Sequence, residues 1–219
     1  MNVFDIVGPV MIGPSSSHTA GAARIGRVAS KLLGNPAVRA EIVLHGSFAK
    51  TYKGHGTDKA LIAGIMGMEP DDSRLRESPR LAKEQGLEVS ISTDTIEDAH
   101  PNTARITLTD AKGKQICVQG ASVGGGNILI TKVDGMDVAI SGQHTTLVAV
   151  HKDAPGVIAV VTDYMSGLGI NICNFRLSRS QKGGTAVMTI EVDGNLEESA
   201  NEDIQKLPNV IRSTLIQLN

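Results

Sequence analysis

Apolar residues recur at helical spacing directly after the hydroxyl-rich segment Gly13-Pro14-Ser15-Ser16-Ser17-His18-Thr19. Over residues 18–33 the apolar positions fall three or four residues apart, and Gly34 follows the last of them. This period predicts a helix that buries one face and ends at Gly34. The hydroxyl-rich segment is therefore expected at a helix N-terminus, where unpaired N–H groups and the helix dipole favour an anion.

In the rest of the first 140 residues, the spacing of apolar positions is first helical and then alternating, as in strands. A short apolar strand is predicted at residues 41–44, a helix at 57–66, and a second helix from Ser78, its expected N-cap, to about Gly86. Alternating apolar and polar positions then predict four strands and a short fifth, at residues 87–93, 103–109, 114–121, 127–133 and 136–140. Helices early and an antiparallel sheet late define an α+β domain.

A polar break at residues 141–145 precedes a different pattern, so we predict domains at residues 1–143 and 146–219. The second domain has six predicted elements: strand 147–151, helix 157–168, strands 170–178 and 185–192, helix 196–207 and strand 210–218. The order βαββαβ is that of the ferredoxin-like fold.

Composition excludes several classes of function. The 219 residues are 41% apolar and 2% aromatic with a net charge of −2, which argues against a nucleic-acid surface. No apolar stretch is long enough to span a bilayer, and no signal sequence is recognised, so a cytoplasmic protein is expected. Cys117 and Cys173 lie in strand-like runs and are expected to be small buried residues in a reducing compartment, with no metal site in this chain.

Candidate chemistry concentrates in the first domain. A single N-cap would account for one hydroxyl of the Ser15–Thr19 cluster, but it would leave His18 unexplained. Three further segments are candidate loops: residues 53–58, with His55 between two glycines, residues 100–102, and the glycine-rich residues 122–127, which could cradle an oxyanion. Each also has a structural interpretation, as solvated loop residues, a turn, or a bend in the sheet.

The second domain resembles an ACT domain, a regulatory module that commonly binds amino acids and pairs side by side. The resemblance rests on Asp-Ala-Pro-Gly at residues 153–156 and Gly-Ile-Asn-Ile at residues 169–172. It implies a homodimer and an effector site at the domain interface, formed by Asp153, Pro155, Gly156, Asn171 and Ile172. A cap at Asp153 and a helix end at Gly169 are the structural alternative.

Across nearly the whole chain, the order and spacing of motifs resemble the β chain of bacterial iron–sulfur L-serine dehydratases. The motifs are Val7-Gly8-Pro9, residues 13–19, His45-Gly46-Ser47, residues 53–58, His100-Pro101-Asn102 and residues 124–128. The resemblance implies conversion of L-serine to pyruvate and ammonia, together with a separate α subunit whose cysteines hold a 4Fe–4S cluster. The chain is therefore expected to be inactive alone.

The resemblance also implies a mechanism in which an open iron of the α-subunit cluster polarises the substrate hydroxyl while a base removes the α-proton. We expect Ser15, Ser16, Ser17 and Thr19 to hold the substrate carboxylate, with Lys53 and Asn102 orienting the substrate. His18 and His55 are the catalytic candidates, although the base could also come from the α subunit. The alternative is a non-catalytic amino-acid sensor, because the first domain also resembles the allosteric substrate-binding domain of some phosphoglycerate dehydrogenases.

Overall fold

The computed structural model describes residues 11, 13 and 15–218. The Val7-Gly8-Pro9 motif and Pro14 lie outside the described residues. Contacts divide the chain into two compact units, one ending at Asp134 and the other beginning at Gly135. This division falls several residues before the polar segment 141–145, at which the sequence analysis placed the domain boundary.

Among the described residues of the first unit, the first element is a π-helical turn that leads directly into the first α-helix. Its elements follow in this order: the π turn Ser17–Gly21, α1 Ala22–Leu33, β1 Ala37–Leu44, α2 Gly46–His55, α3 Thr57–Ile65, a 3₁₀ turn Ser73–Glu77, α4 Ser78–Glu84, β2 Glu88–Thr93, β3 Thr103–Asp110, β4 Gln115–Gly124 and β5 Asn127–Val133. Gly34 ends α1 with a left-handed φ of 81°, as the sequence predicts.

The sheet of the first unit is mixed, which corrects the prediction of an antiparallel sheet. Within this unit, the strands lie in the order β2-β1-β3-β4-β5. β1 pairs in parallel with β2 and antiparallel with β3. The parallel pair arises because the chain between β1 and β2 runs through α2, α3 and α4, a connection long enough to return β2 in the same direction.

Helices α1 and α3 approach each other at backbone distance. A Cβ added to Gly26 would lie 2.4 Å from the carbonyl oxygen of Leu61, and one added to Gly64 would lie 2.0 Å from that of Ala23. Only glycine permits this contact, and the buried Ile25, Val28 and other apolar residues of α1 fill the space beside it.

Helix α2 was not predicted, because the sequence analysis interpreted residues 53–58 as a loop. Its first residue, Gly46, has a φ of 58°, and a Cβ there would lie 2.5 Å from the carbonyl oxygen of Pro101. The prediction that Ser78 caps α4 was also wrong. The Ser78 side chain is buried and donates its hydroxyl to the carbonyl of Lys59, 2.6 Å away, which ties α4 to α3.

The second unit contains the ferredoxin-like arrangement expected from the sequence. Its elements are β6 Met136–Ile140, β7 Thr145–Lys152, α5 Val157–Gly167, β8 Ile172–Arg179, β9 Thr185–Val192, α6 Glu198–Gln205 and β10 Val210–Ile216. Four of the strands form an antiparallel sheet in the order β10-β7-β9-β8, so the α+β class and the βαββαβ order are confirmed. The central strands β7 and β9 are buried along almost their entire length, so β7 shows no alternation of burial.

Neither cysteine is buried as expected. Cys117 is half-buried on β4, and Cys173 is exposed on the edge strand β8. Within residues 11, 13 and 15–218, no helix combines the length and the hydrophobicity needed to cross a membrane.

Candidate active site

His18 lies in the π turn before α1 and is only 8% exposed. Its Nδ1 is 3.2 Å from the hydroxyl of Ser15, and its Nε2 is 3.4 Å from the hydroxyl of Ser47 in α2. The Ser15 hydroxyl also accepts a hydrogen bond from the backbone N–H of His18, at 3.4 Å. One hydroxyl of the predicted cluster therefore contacts both the backbone N–H and the imidazole of His18, whereas the N-cap residue of the turn, Ser16, makes no side-chain cap hydrogen bond.

Two aromatic rings pack against the His18 imidazole. The ring centroids of His18 and His55 are 4.7 Å apart, and those of His18 and Phe48 are 5.2 Å apart, both in edge-to-face arrangements. Burial, and secondarily the nearby His55, lowers the pKa of His18. His18 is therefore neutral at pH 7, and one ring nitrogen can accept a proton.

A cavity of about 200 Å³ opens beside this pair of histidines. Its walls carry three cationic side chains, one hydroxyl and one imidazole, contributed by Lys53, Lys59, Arg76, Thr19 and His55. The remaining lining residues are Gly13, Gly54, Gly56 and Leu75. This charge and this size suit a small anion such as a carboxylate.

Two polar atoms at the cavity are buried without a partner. Thr19 Oγ1 and His55 Nδ1 make no hydrogen bond within the described part of the chain. Buried polar atoms in folded proteins are nearly always satisfied, so a bound molecule or a water is the expected partner of these two atoms. His55 lines the cavity and His18 does not, so His55 lies between His18 and any molecule bound there.

Larger cavities elsewhere in the first unit lack this chemistry. One of about 540 Å³ lies at the end of α1, beside Gly34 and Asn35, and one of about 610 Å³ lies between α4 and β2. No histidine lines either of them. Chemistry and not volume therefore singles out the cavity beside His55.

The predicted site residues divide between this cavity and its surroundings. Thr19, Lys53 and His55 line the cavity, whereas Ser15 contacts His18 behind it. Ser16 and Ser17 are half-buried in the same turn, where the carbonyl of Ser16 accepts a hydrogen bond from the N–H of Gly21.

Asn102 lies in a segment that supports the site through its backbone. Its carbonyl accepts a hydrogen bond from the N–H of Ser122, and its own N–H donates to Nδ1 of His100. The preceding carbonyl, of Pro101, accepts from the N–H groups of Ser47 and Phe48, at 2.7 and 3.4 Å. This segment fixes the first turn of α2, which carries Ser47 to the His18 imidazole.

The glycine-rich residues 122–127 form a hairpin turn. Gly125 and Gly126 join β4 to β5 with φ values of 60° and 82°, as the two central positions of a type I′ turn require. The carbonyl of Gly126 accepts a hydrogen bond from Nη1 of Arg24 at 2.9 Å. The glycines thus have a structural role in a turn that anchors α1, and their use as an oxyanion cradle stays a prediction.

Sequence reasoning missed Ser47, Lys59 and Arg76 as site residues. Ser47 belongs to the motif His45-Gly46-Ser47, and its signal is its place in the first turn of α2. Lys59 and Arg76 belong to no recognisable pattern, and only the tertiary fold brings them to the cavity.

In the second unit, the predicted effector residues occupy opposite ends of the sheet. Asp153 follows β7 at the end where Lys152 pairs with Thr185, whereas Ile172 pairs with Val192 at the other end of β9. The Asp153 carboxylate accepts hydrogen bonds from the Gly183 N–H and from Arg179, which lower its pKa. It is therefore engaged in an ion pair, not in a helix cap.

Pro155 and Gly156 lie at the Asp153 end of the sheet, where Gly156 is the N-cap of α5. Asn171 lies at the opposite end, and its side-chain amide donates to Asp193 at 2.6 Å. One copy of this unit therefore does not bring the five predicted effector residues together.

Comparison with known proteins finds one matching family model for each of the two units. The family model described as serine dehydratase beta chain matches residues 2–88, and the model described as AHAS small subunit-like ACT domain matches residues 147–212. The chain is 45% identical over 215 residues to "Probable L-serine dehydratase, beta chain" of Bacillus subtilis, covering 98% of this chain and 97% of that protein.

Two further relatives define the range of similarity. The L-serine dehydratase beta chain of Peptoniphilus asaccharolyticus is 39% identical over 204 residues, covering 93% of this chain and 92% of that protein. A D-3-phosphoglycerate dehydrogenase of Methanocaldococcus jannaschii is 26% identical over 198 residues, which are 90% of this chain but 37% of that enzyme. The fold and site are those of a two-unit protein with an ACT-like C-terminal half. The chain belongs to the family of L-serine dehydratase beta chains.

Proposed function

We propose that this chain is the β subunit of an L-serine dehydratase, which converts L-serine to pyruvate and ammonia together with an α subunit. The observation that supports this most directly is the pair His18 and His55 beside a cationic cavity of about 200 Å³. It occurs in a chain that is 45% identical, over nearly its full length, to an L-serine dehydratase beta chain.

The cavity supplies the means to hold the amino-acid carboxylate. Lys53, Lys59 and Arg76 provide positive charge, and the unpartnered hydroxyl of Thr19 provides a donor. Ser15, Ser16 and Ser17 add hydroxyls in the adjoining turn. Charge-assisted hydrogen bonds of this kind would fix the substrate by its carboxylate and leave its α- and β-carbons free to react.

The two histidines supply proton transfer. Dehydration removes the α-proton and the β-hydroxyl of serine as water, which gives aminoacrylate. Aminoacrylate tautomerises to an imine, and water hydrolyses the imine to pyruvate and ammonia. His55 faces the cavity with a buried, unpartnered Nδ1, and a neutral His18 packs against its ring. In this proposal, His55 exchanges the proton with the substrate and His18 sets the orientation and basicity of His55.

A 4Fe–4S cluster does not fit this chain. Even a cluster with one open iron needs three thiolate ligands, whereas the chain has two cysteines, Cys117 in the first unit and Cys173 in the second. We therefore assign the cluster, and the Lewis-acid assistance it gives to loss of the hydroxyl, to the α subunit. The residues of this chain act on the carboxylate and the α-proton.

The ACT-like unit is proposed to pair with a second copy through the edge strand β8. Nearly all side chains of β8 are exposed. β8 is also the last strand in the order β10-β7-β9-β8, so it is an edge strand of this sheet. An edge strand of this kind is a template for pairing with another chain. Pairing would also let the Asp153 end of one copy and the Asn171 end of another contribute to a shared effector site.

The test compares the chain alone with the chain co-purified with its α subunit under anaerobic conditions. L-serine should yield pyruvate only in the complex. In that complex, Lys53→Gln should raise the KM for L-serine about tenfold or more through loss of the carboxylate contact. Lys50→Gln is the matched control, because Lys50 is exposed on the same helix and does not line the cavity.

Two results would contradict the proposal. One is pyruvate formation by the chain alone, and the other is equal KM values for the Lys53 and Lys50 variants. Saturable binding of L-serine to the chain, with no turnover when the α subunit is present, would instead support the alternative of a regulatory sensor. The comparisons do not favour that alternative.

A further inference from the structure

Three metal-binding side chains from separate segments converge in the second unit. His144 precedes β7, Cys173 lies on β8, and Asp193 follows β9. One ligand atom from each, an imidazole nitrogen, the thiol sulfur and a carboxylate oxygen, lies within 4.8 Å of the other two. All three side chains are exposed, so an ion can reach them from solvent.

A β-bulge brings Cys173 into this cluster. Ile172 pairs with Val192 and Asn174 pairs with Glu191, so Cys173 is the extra residue on its strand. A bulge bends the strand and re-aims the side chain of the inserted residue. A regular β8 would have paired Cys173 with a residue of β9 and pointed its side chain according to the simple alternation of the strand.

The Asp193 carboxylate is oriented by its neighbours. Its backbone N–H donates to the carbonyl of Asn171 at 3.0 Å, and the amide of Asn171 donates to Oδ2 at 2.6 Å. Supporting hydrogen bonds of this type hold the ligands of metal sites in place. Oδ1 is the carboxylate oxygen that this amide leaves for a metal.

A buried carboxylate adds negative charge beside the cluster. Glu191 is 5% exposed and accepts hydrogen bonds from the N–H and hydroxyl of Ser141 and from the amide of Asn174. Asn174, the residue after Cys173, is one of these donors, so the Glu191 carboxylate lies close to the cluster and favours a cation there.

We propose that His144, Cys173 and Asp193 form a binding site for a divalent transition-metal ion, with zinc as the preferred ion. Zinc accepts sulfur, imidazole nitrogen and carboxylate oxygen together, whereas magnesium and calcium prefer oxygen alone. Tetrahedral zinc bonds of about 2.0–2.3 Å place the ligand atoms roughly 3.3–3.8 Å apart. The three ligand atoms lie within 4.8 Å of one another, and rotations of the exposed side chains can bring them to the shorter distance.

Three protein ligands leave the fourth tetrahedral position open to water or to an incoming group. The site adjoins Asn171 and Ile172, two of the predicted effector residues, so a metal there would join the start of β8 to the segments that flank β7 and β9. The bound ion would cross-link the three segments at this end of the sheet, and it would stabilise the folded chain because it binds the folded state.

The test measures binding of zinc, added alone, to the purified chain under reducing conditions. One zinc ion per chain should bind and raise the thermal midpoint of unfolding. Cys173→Ser, His144→Ala and Asp193→Asn should each weaken binding by more than the roughly 10–100-fold cost of losing a supporting hydrogen bond. Cys117→Ser is the matched control, because it removes a thiol from the first unit, and it should bind zinc like the wild type.

Cobalt provides a second readout that identifies the sulfur ligand. The wild type and Cys117→Ser should show a near-ultraviolet thiolate-to-cobalt charge-transfer band, and Cys173→Ser should not. Zinc binding that is absent, or equally strong in Cys173→Ser and the wild type, would overturn the proposal. Because neither readout uses the α subunit or turnover, the outcome is independent of the proposed dehydratase activity.

Discussion

The side chain of His18 is nearly enclosed, yet both of its ring nitrogens face hydroxyl groups and one face of its ring meets His55. A neutral imidazole has one N–H donor and one acceptor, and the hydroxyls of Ser15 and Ser47 can satisfy both, because a hydroxyl can donate or accept. This environment suits a group that tunes a second histidine at the cavity.

Replacing His18 with alanine should lower kcat of the complex about a hundredfold or more, because the proton-transfer pair loses one member. Turnover of L-serine is the measurement, with subunit association and iron content of the complex as controls. A decrease of only a few-fold in an intact complex would remove His18 from the mechanism.

Ser16→Ala should act mainly on substrate affinity. If the Ser16 hydroxyl contributes to carboxylate binding, KM for L-serine rises several-fold while kcat changes little. Steady-state kinetics of the complex measures both values. An unchanged KM would leave Ser16 with only its backbone role, in which its carbonyl accepts the N–H of Gly21.

The lowered pKa of His18 also predicts how stability depends on pH. The folded state binds a proton at His18 less readily than the unfolded state, whose imidazole titrates near 6.5. Stability is therefore full above that value and declines as the pH falls through it toward the lower folded-state pKa.

His18→Gln should remove part of this decline. Between pH 7.5 and pH 5.5, roughly the range over which an imidazole titrates, the variant should lose less unfolding free energy than the wild type. Chemical denaturation at the two pH values gives the comparison. Equal losses in the two proteins would show that His18 titrates alike in the folded and unfolded chains.

At the scale of elements, helix α2 is the part of the site most dependent on one residue. Gly46 begins the helix with a positive φ, and its Cα lies against the carbonyl of Pro101, which accepts the N–H groups of the first turn. This junction sets the position of Ser47 at one end of α2 and of His55 at the other.

Gly46→Ala should destabilise the chain by at least about 1–2 kcal/mol, the cost of a left-handed alanine, with a further cost from the clash at Pro101. Gly54→Ala is the matched control on the same helix, because a Cβ there meets no atom within 4 Å. It should leave stability unchanged or increase it by about 0.5–1 kcal/mol. Equal effects of the two substitutions, measured by denaturant unfolding, would contradict this account of the junction.

The elements also show what sequence patterns can and cannot predict. Helix α1 was predictable because its apolar residues recur along one face, where seven of them and Gly26 are buried. Phe48 is the one buried residue of α2, so the helix has no apolar periodicity to recognise. The place of β1 between β2 and β3 depends on long-range pairing, which local patterns do not encode.

The same reasoning applies to the site. His18 and His55 were predictable because their residue types and glycine-rich or hydroxyl-rich neighbours are chemically unusual. Arg76 comes to the cavity from a 3₁₀ turn, and His144, Cys173 and Asp193 converge from three segments. Such juxtapositions arise from tertiary structure alone.

At the scale of the whole molecule, the two edges of the second sheet differ in their expected role. Phe175 on β8 and Ile211 on β10 are both exposed, at 37% and 52%, but we propose pairing with a second copy only at β8. An aspartate at β8 would place charges opposite one another across that interface.

Phe175→Asp should therefore shift the chain toward the monomer, as measured by sedimentation velocity over a range of protein concentrations. Ile211→Asp is the matched control at the opposite edge, and it should leave the association unchanged. A wild-type chain that is monomeric throughout, or a dimer equally weakened by both substitutions, would contradict pairing at β8.

The glycine contact between α1 and α3 has a consequence for how this protein tolerates change. The turn that carries His18 leads into α1, and α3 begins two residues after His55. The contact at Gly26 and Gly64 therefore helps to set the distance between the two imidazole rings. A larger side chain at either glycine would separate the two helices and displace the two rings, while much of the hydrophobic core stayed packed. Substitutions far from the cavity would thus abolish activity at a smaller structural change than the one that unfolds the chain.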